Sequence, residues 1–281
     1  CMIFHVVANS FYAACECLFR PDLDNKPIAV LSNNDGVIIA LNQECKNLGL
    51  KRGDTYFTVR DRLRAWGVQV FSSNYTLYAD ISTRLNILYS TFAPEIEIYS
   101  IDESFLFFPD WTNIDFYQLG MELKQLTMQN IHMPVSVGIA PTKTLAKLCN
   151  KLAKTRGGVC FWDSLDKEQE LKHIETSEIW GIGYSKTRTL ARHGIRTAFD
   201  LKNMSLDKAK KRLTIQGMKT VQELNGICTI DFINREIRQN ITTSKSFAQG
   251  VTDLIQLETA LAEYTQLAVY RMRNEKSVCT Y

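Results

Sequence analysis

Two adjacent acids, Asp102 and Glu103, sit in the string Ser100-Ile101-Asp102-Glu103-Ser104-Phe105, between a strand-like run over 95–101 and an apolar run over 105–108. In a flat strand, neighbours point to opposite faces and the two carboxylates would diverge. At the bend of a hairpin they converge. Carboxylates that close repel unless protonated or bridged by a cation, and Mg2+ takes a few carboxylates together with waters and phosphates. Two such ions about 3.5–4 Å apart activate a hydroxyl nucleophile and stabilise a leaving pyrophosphate. A bare Asp-Glu pair is more often an ordinary polar turn, so the pair alone does not decide.

Two basic segments bear on the same question. Lys143, Lys147, Lys151 and Lys154 recur at near-helical spacing and form one stripe, with Leu145, Leu148 and Leu152 on the buried side. Such a stripe is usually a solvated face. Further on, Trp180-Gly181-Ile182-Gly183 opens a glycine turn followed by Lys186, Arg188 and Arg192, and a looser copy spans Ile215-Gln216-Gly217-Met218-Lys219. Glycines there let backbone amides approach a phosphate, and helix ends favour the anion. Residues 181–240 hold twelve Lys or Arg against five Asp or Glu, although the whole chain carries only +3. That local excess suits a polyanion, the plainer reading being a tight helix connection with a solvated surface.

The elements that must position these groups are legible in outline. Residues 2–7 are apolar except for His5, as in a strand buried on both faces. Asn9 or Ser10 is placed to cap a helix over 11–19, with Pro21 just beyond. Strands over 28–32 and 37–40 flank Asn33-Asn34-Asp35-Gly36, a hairpin turn signal. Helices are predicted over 42–48 (with Gly49 as C-cap), 76–89, 116–129 and 142–154, with a strand over 135–139 and a break at Gly157-Gly158. From about 170 the pattern turns to short helices and glycine turns. It becomes strand-like over 241–250 and helical over 253–273. At 281 residues and 45% hydrophobic, the chain can build a good core and more than one domain. Eight scattered cysteines without a C-x-x-C pair, and no long apolar run, predict a reduced, soluble, cytoplasmic setting. The ends at Cys1 and Tyr281 read as those of a fragment.

Taken in order, these strings resemble the Y-family DNA polymerases of the UmuC type. Phe4-His5-Val6-Val7-Ala8-Asn9-Ser10-Phe11-Tyr12, Arg20-Pro21-Asp22-Leu23, Leu31-Ser32-Asn33-Asn34-Asp35-Gly36, the acidic string and Gly138-Ile139-Ala140-Pro141-Thr142-Lys143 carry the likeness. The resemblance implies an α+β fold: a ferredoxin-like palm (1–20 and 76–165), small fingers (21–75), a helix–hairpin–helix thumb (166–240) and part of a little finger (241–281, entered at Thr243-Ser244-Lys245-Ser246-Phe247). It implies Asp102 and Glu103 as catalytic metal ligands for two Mg2+ ions, with the Ala8 backbone carbonyl. It implies Tyr12 as a steric gate beside Phe11, Lys46 and Lys154 as triphosphate contacts, and Gly181, Gly183, Lys186, Arg188, Arg192 and Lys219 on the DNA backbone. Primer–template DNA and a dNTP follow as partners, with a processed UmuD-type subunit, a RecA-type filament and a sliding clamp, in an SOS-type damage response.

The chain departs from that pattern at two places. Val7 stands where the family has a metal-bridging aspartate, and Leu41 where a basic residue is common. An isopropyl group cannot ligate Mg2+. Translesion polymerase, impaired in this copy, is therefore the first expectation. A non-catalytic relative that binds damaged DNA is the second. A nucleotide cyclase on a similar palm is disfavoured by the fingers and glycine turns.

Overall fold

The computed structural model describes residues 1–109, 113–230, 240–244, 247 and 249–279. Strand β1 (Met2–Ala8) is buried from its second residue onward. Helix α1 (Phe11–Cys17) follows, and then β2 (Ile28–Leu31), β3 (Ile38–Leu41), α2 (Gln43–Asn47), α3 (Tyr56–Ala65) and β4 (Gln69–Ser72). Next come α4 (Tyr75–Phe92), β5 (Glu95–Ile98), β6 (Glu103–Phe108), α5 (Phe116–Ile131), β7 (Val135–Ala140), α6 (Lys143–Ala153) and β8 (Val159–Phe161). Helices α7 (Lys167–His173), α8 (Tyr184–Ala191), α9 (Ala198–Lys202), α10 (Leu206–Leu224) and α11 (Leu254–Asn274) complete the α+β chain.

The main sheet runs β5-β6-β1-β7-β8, so the apolar β1 lies at its centre and needs apolar residues on both faces. Phe4, Val6 and Ala8 share a core with residues of α1, α4 and α5. Ile3 and Phe105 join the opposite core with α6 and the helices after it. Gly138 brings α6 onto β7: a Cβ there would lie 2.1 Å from Asn150 N and 2.2 Å from Ala146 O. Residues between 28 and 72 form a second sheet, β3-β2-β4, with its own core around Ala29, Leu31, Ile38, Val59 and Leu63.

Several expectations change. Ser10 occupies the cap position of α1 in the left-handed region (φ 49°) without a side-chain cap bond, and Asn9 is engaged by Ser136 instead. Helix α3 and strand β4 were not expected, although Tyr56, Val59 and Leu63 recur at helical spacing and pack into the second core. The second glycine turn is absent: Gly217 lies inside α10, where a Cβ would meet the Leu213 side chain at 2.1 Å, and the irregularity falls at Thr214 (φ 70°). Lys219 is therefore on a helix, not in a turn. The predicted strand over 241–250 is not formed by its described residues, and Lys245 and Ser246 lie outside them. Helix α11 has no buried residue; its contacts include Thr243 Oγ1 donating to Tyr264 O at 2.8 Å.

Candidate active site

The hairpin β5–β6 does what the acid pair requires. Tyr99 N and Ser100 N both donate to Glu103 O at 3.0 Å, closing a tight bend with Asp102 in it and Glu103 opening β6. Ser100 Oγ donates to Asp102 Oδ1 at 2.8 Å, and Ala8 N donates to Asp102 O at 2.9 Å. Asp102, Glu103 and Ala8 thus meet at the end of β1.

Val7 is the register partner of Glu103 across β1–β6 and of Ser136 across β1–β7, and it is buried. Directly paired residues share a face, so an acid at 7 would stand beside Glu103. Two strand positions back, His5 Nε2 lies 3.0 Å from Glu103 Oε2. Burial above all pushes the His5 pKa down to about 4, against the Glu103 hydrogen bond. The ring is neutral near pH 7, and since a carboxylate only accepts, Nε2 carries the proton. His5 Nδ1 is buried with no hydrogen-bond partner. The same Glu103 oxygen accepts from Lys147 Nζ at 2.5 Å. Burial alone would raise the Glu103 pKa; the His5 and Lys147 hydrogen bonds outweigh it and hold it at about 2. Asn150 Nδ2 donates to His5 O (2.7 Å) and Ser136 O (2.8 Å), tying α6 to both strands.

The lysine stripe is divided by tertiary partners. Lys143 is buried against Glu97 at 2.6 Å, Lys147 is on Glu103, and Lys151 pairs with Glu178. Lys154 is in no ion pair among the described residues, and it lines a cleft of about 740 Å3. The stripe is therefore not the solvated face that such spacing usually makes. That cleft also takes in Val7, Ala8, Phe11, Tyr12, Lys46, Asp102 and Glu103, with Lys51 and Arg52, which were not anticipated. The Lys51-Arg52 pair ahead of the Gly53 turn was the available signal. Burial first, and then Lys46, lower the pKa of Lys154, and outweigh Glu103 and Asp102, which act to raise it. Tyr12 stacks on Tyr78 at 4.3 Å and meets Tyr75 edge-on at 6.0 Å, which fixes its ring at the cleft wall. Phe11 is tilted against it at 5.8 Å and is mostly core. A larger cavity of about 1080 Å3 shares Asn9, Ser10, Lys46 and Lys154 but neither carboxylate, so the acid chemistry belongs to the smaller cleft.

Among the described residues, no three His, Cys, Asp or Glu side chains converge as a metal cage. Val7 places beside Glu103 an isopropyl group, which cannot ligate a cation. A single Mg2+ suits Asp102 together with waters and substrate phosphates.

The first glycine turn forms as expected. Gly181 has φ 81°, Gly183 caps α8, and Lys186 Nζ donates to Gly181 O at 2.8 Å across the turn. Arg188 lies over the exposed Tyr184 ring at 5.7 Å, and Arg192 caps the end of α8. The helical unit is joined to the sheet by Trp180 Nε1, which donates to Tyr99 Oη at 3.0 Å, and by buried Glu223. Glu223 Oε2 accepts from Thr144 N at 3.0 Å, and its Oε1 from Thr229 N (2.9 Å) and Ile230 N (3.1 Å). No described helix is long and apolar enough to cross a membrane.

Protein UmuC of Salmonella typhimurium is 39% identical over 97% of the chain, and protein MucB of Escherichia coli is 39% identical over 96%. The chain spans 66% of the length of either. Among solved structures, DinB from Sulfolobus solfataricus superposes with a TM-score of 0.65 at 25% identity, covering 80% of this chain and 66% of that one. A Dbh–Dpo4 chimera of the Y-family DNA polymerases reaches 0.78 at 21% identity, over 96% of this chain and 80% of the other, which bears on the fold alone. Residues 6–151 match the impB/mucB/samB family itself, so the chain belongs to that family, which it shares with relatives named UmuC and MucB.

Proposed function

We propose that the chain is the catalytic part of a translesion DNA polymerase, built for template-directed transfer of a nucleotide to a primer end and impaired by valine at position 7. The observation that carries this reading is the convergence of Asp102, Glu103, Ala8, Tyr12, Lys46 and Lys154 on one cleft. Lys46, Lys154, Lys51 and Arg52 supply positive charge for a triphosphate, the Tyr12 ring rejects a ribose 2′ hydroxyl, and the Gly181 turn with Lys186, Arg188 and Arg192 holds the DNA backbone. In this reading the main sheet is the palm, residues 21–75 the fingers, 166–240 the thumb and 241–281 part of a little finger. Magnesium, when bound with the triphosphate, supplies charge neutralisation at the phosphates. Asp102 and Glu103 orient that charge, while the lysines hold the phosphate chain. A UmuD-type subunit, a RecA-type filament, a sliding clamp, an SOS-type role and a cytoplasmic setting follow from the family and belong to this proposal.

The test is primer extension by the chain and by Val7→Asp, each completed at the C-terminus with a relative's little finger. Extension dependent on Mg2+ and Asp102 is expected only with aspartate. Loss of a primary ligand costs on the order of 10³-fold in rate, about 4 kcal/mol of transition-state stabilisation. Robust synthesis with Val7 would overturn the impairment. The second reading, a non-catalytic scaffold on damaged DNA, is favoured by Val7 and by the engagement of Glu103 with Lys147. An inactive Val7→Asp chain that still binds DNA would select it.

A further inference from the structure

Lys147 does not line the cleft, yet it is bound to one of the cleft's two acids. Its ammonium is largely buried, and three rings surround it: Tyr99 at 4.2 Å, Trp180 at 5.4 Å and Phe105 at 5.7 Å. Tyr99 and Trp180 meet edge-on at 5.6 Å and are locked by their hydrogen bond. Aromatic faces attract a desolvated cation, so the cage holds the ammonium where it stands. The backbone beneath it cannot drift, because α6 rests directly on Gly138. Of Glu103, Oε2 is taken by both His5 and Lys147, while the side chain still reaches the cleft.

The charge balance then decides what the acids can attract. Asp102 and Glu103 contribute two negative charges to the cleft wall, against Lys46, Lys51, Arg52 and Lys154 on the same wall and Lys147 behind it. A dication entering alone meets a carboxylate that is already neutralised, and an ammonium a few ångströms away. At an effective dielectric of 20 that repulsion is well above thermal energy. An acid at position 7 would offset it, and here there is none.

We infer that Lys147 is a positioning residue acting as a built-in counter-cation, which competes with a divalent ion for Glu103 and restricts free-ion binding at the acidic hairpin. This deepens the polymerase reading and rests on it. With Lys147 in place, the ion is held only weakly until the triphosphate brings further oxygens.

The readout is Mn2+ affinity without nucleotide or DNA, followed by electron paramagnetic resonance. Lys147→Met should tighten Mn2+ at least tenfold, Lys147→Arg should stay within threefold of the parent, and adding Glu103→Gln to Lys147→Met should abolish the gain. Trp180→Leu, which opens the cage while leaving the lysine, should give a smaller gain and serves if Lys147→Met does not fold. No gain in whichever of these two variants folds, or a gain that survives Glu103→Gln, overturns the inference. A gain that survives Asp102→Asn but not Glu103→Gln supports Lys147 as the counter-cation and instead removes Asp102 from the ion site of the polymerase reading.

Discussion

Restoring aspartate at position 7 should make the fold depend on divalent cations. Val7 is 8% exposed and stands directly across from Glu103. Replacing it gives up about 1.5–3 kcal/mol of apolar burial. It also sets a second carboxylate on the same face, about 5 Å away, a repulsion of about 3 kcal/mol at an effective dielectric of 20. Lys147 offsets part of that, so a net loss of about 3 kcal/mol is expected in EDTA. For a chain of this size each kcal/mol moves the midpoint by about 2–4 °C, and Val7→Asp should melt roughly 10 °C below the parent. Magnesium at a hundred times its dissociation constant returns about 2.7 kcal/mol, nearly closing the gap, while the parent should hardly respond. The assay is thermal unfolding by circular dichroism, with EDTA and with a magnesium series. Equal midpoints in EDTA, or equal magnesium shifts in both chains, would refute the reasoning.

Acid should unfold the chain in two consecutive steps. The folded pKa of His5 is lowered to about 4, so the unfolded state binds more protons below about 6.5, and stability falls as pH drops from there to about 4. Glu103, held at about 2, adds stability above the ordinary carboxylate pKa that is lost as pH falls from about 4.5 towards 2. His5→Leu should erase the upper step in urea titrations run at successive pH values. Gly138→Ala should cost about 3 kcal/mol or more in the same titrations, because the clash is with backbone atoms of α6. DNA affinity should fall steeply with salt as counterions are released; a flat response, or binding unchanged by charge reversal at Lys186 and Arg188, would remove the Gly181 turn from the interface. In a Val7→Asp background, Tyr12→Ala should admit ribonucleotides in single-nucleotide insertion assays, and equal sugar discrimination would remove the gate from Tyr12.

What could be read from the sequence was whatever is decided within a few residues. The apolar run of β1 around His5, the acidic bend, the Gly49 cap and the Gly181 turn each follow from local pattern, and the structure has them. The lysines of α6 show the limit. Their spacing fixes a common stripe, but Glu97, Glu103 and Glu178 arrive from three other elements, so that of the four lysines Lys154 alone is in no ion pair among the described residues and lines the cleft. Gly217 failed for a related reason. A glycine near basic residues looks the same whether it serves a turn or, as here, makes room for Leu213 inside a helix. His5 gave no signal at all, since its partner is 98 residues away.

The joint around Glu223 bears on how freely such chains can exchange parts. Each side offers a side chain to the other side's backbone: Glu223 accepts from Thr144 N, and Thr142 Oγ1 donates to Glu223 O. Every helix start presents a free amide, so the carboxylate asks nothing of the side chain at position 144. The demand is only that an acid stand at 223 and a hydroxyl at 142. Recombination between distant relatives can therefore cut between these two halves and keep this joint closed, provided each parent keeps its own one residue here. A parent lacking the acid would instead leave the buried Thr144 amide without its acceptor, and its hybrids would be weakened in one direction of exchange but not the other.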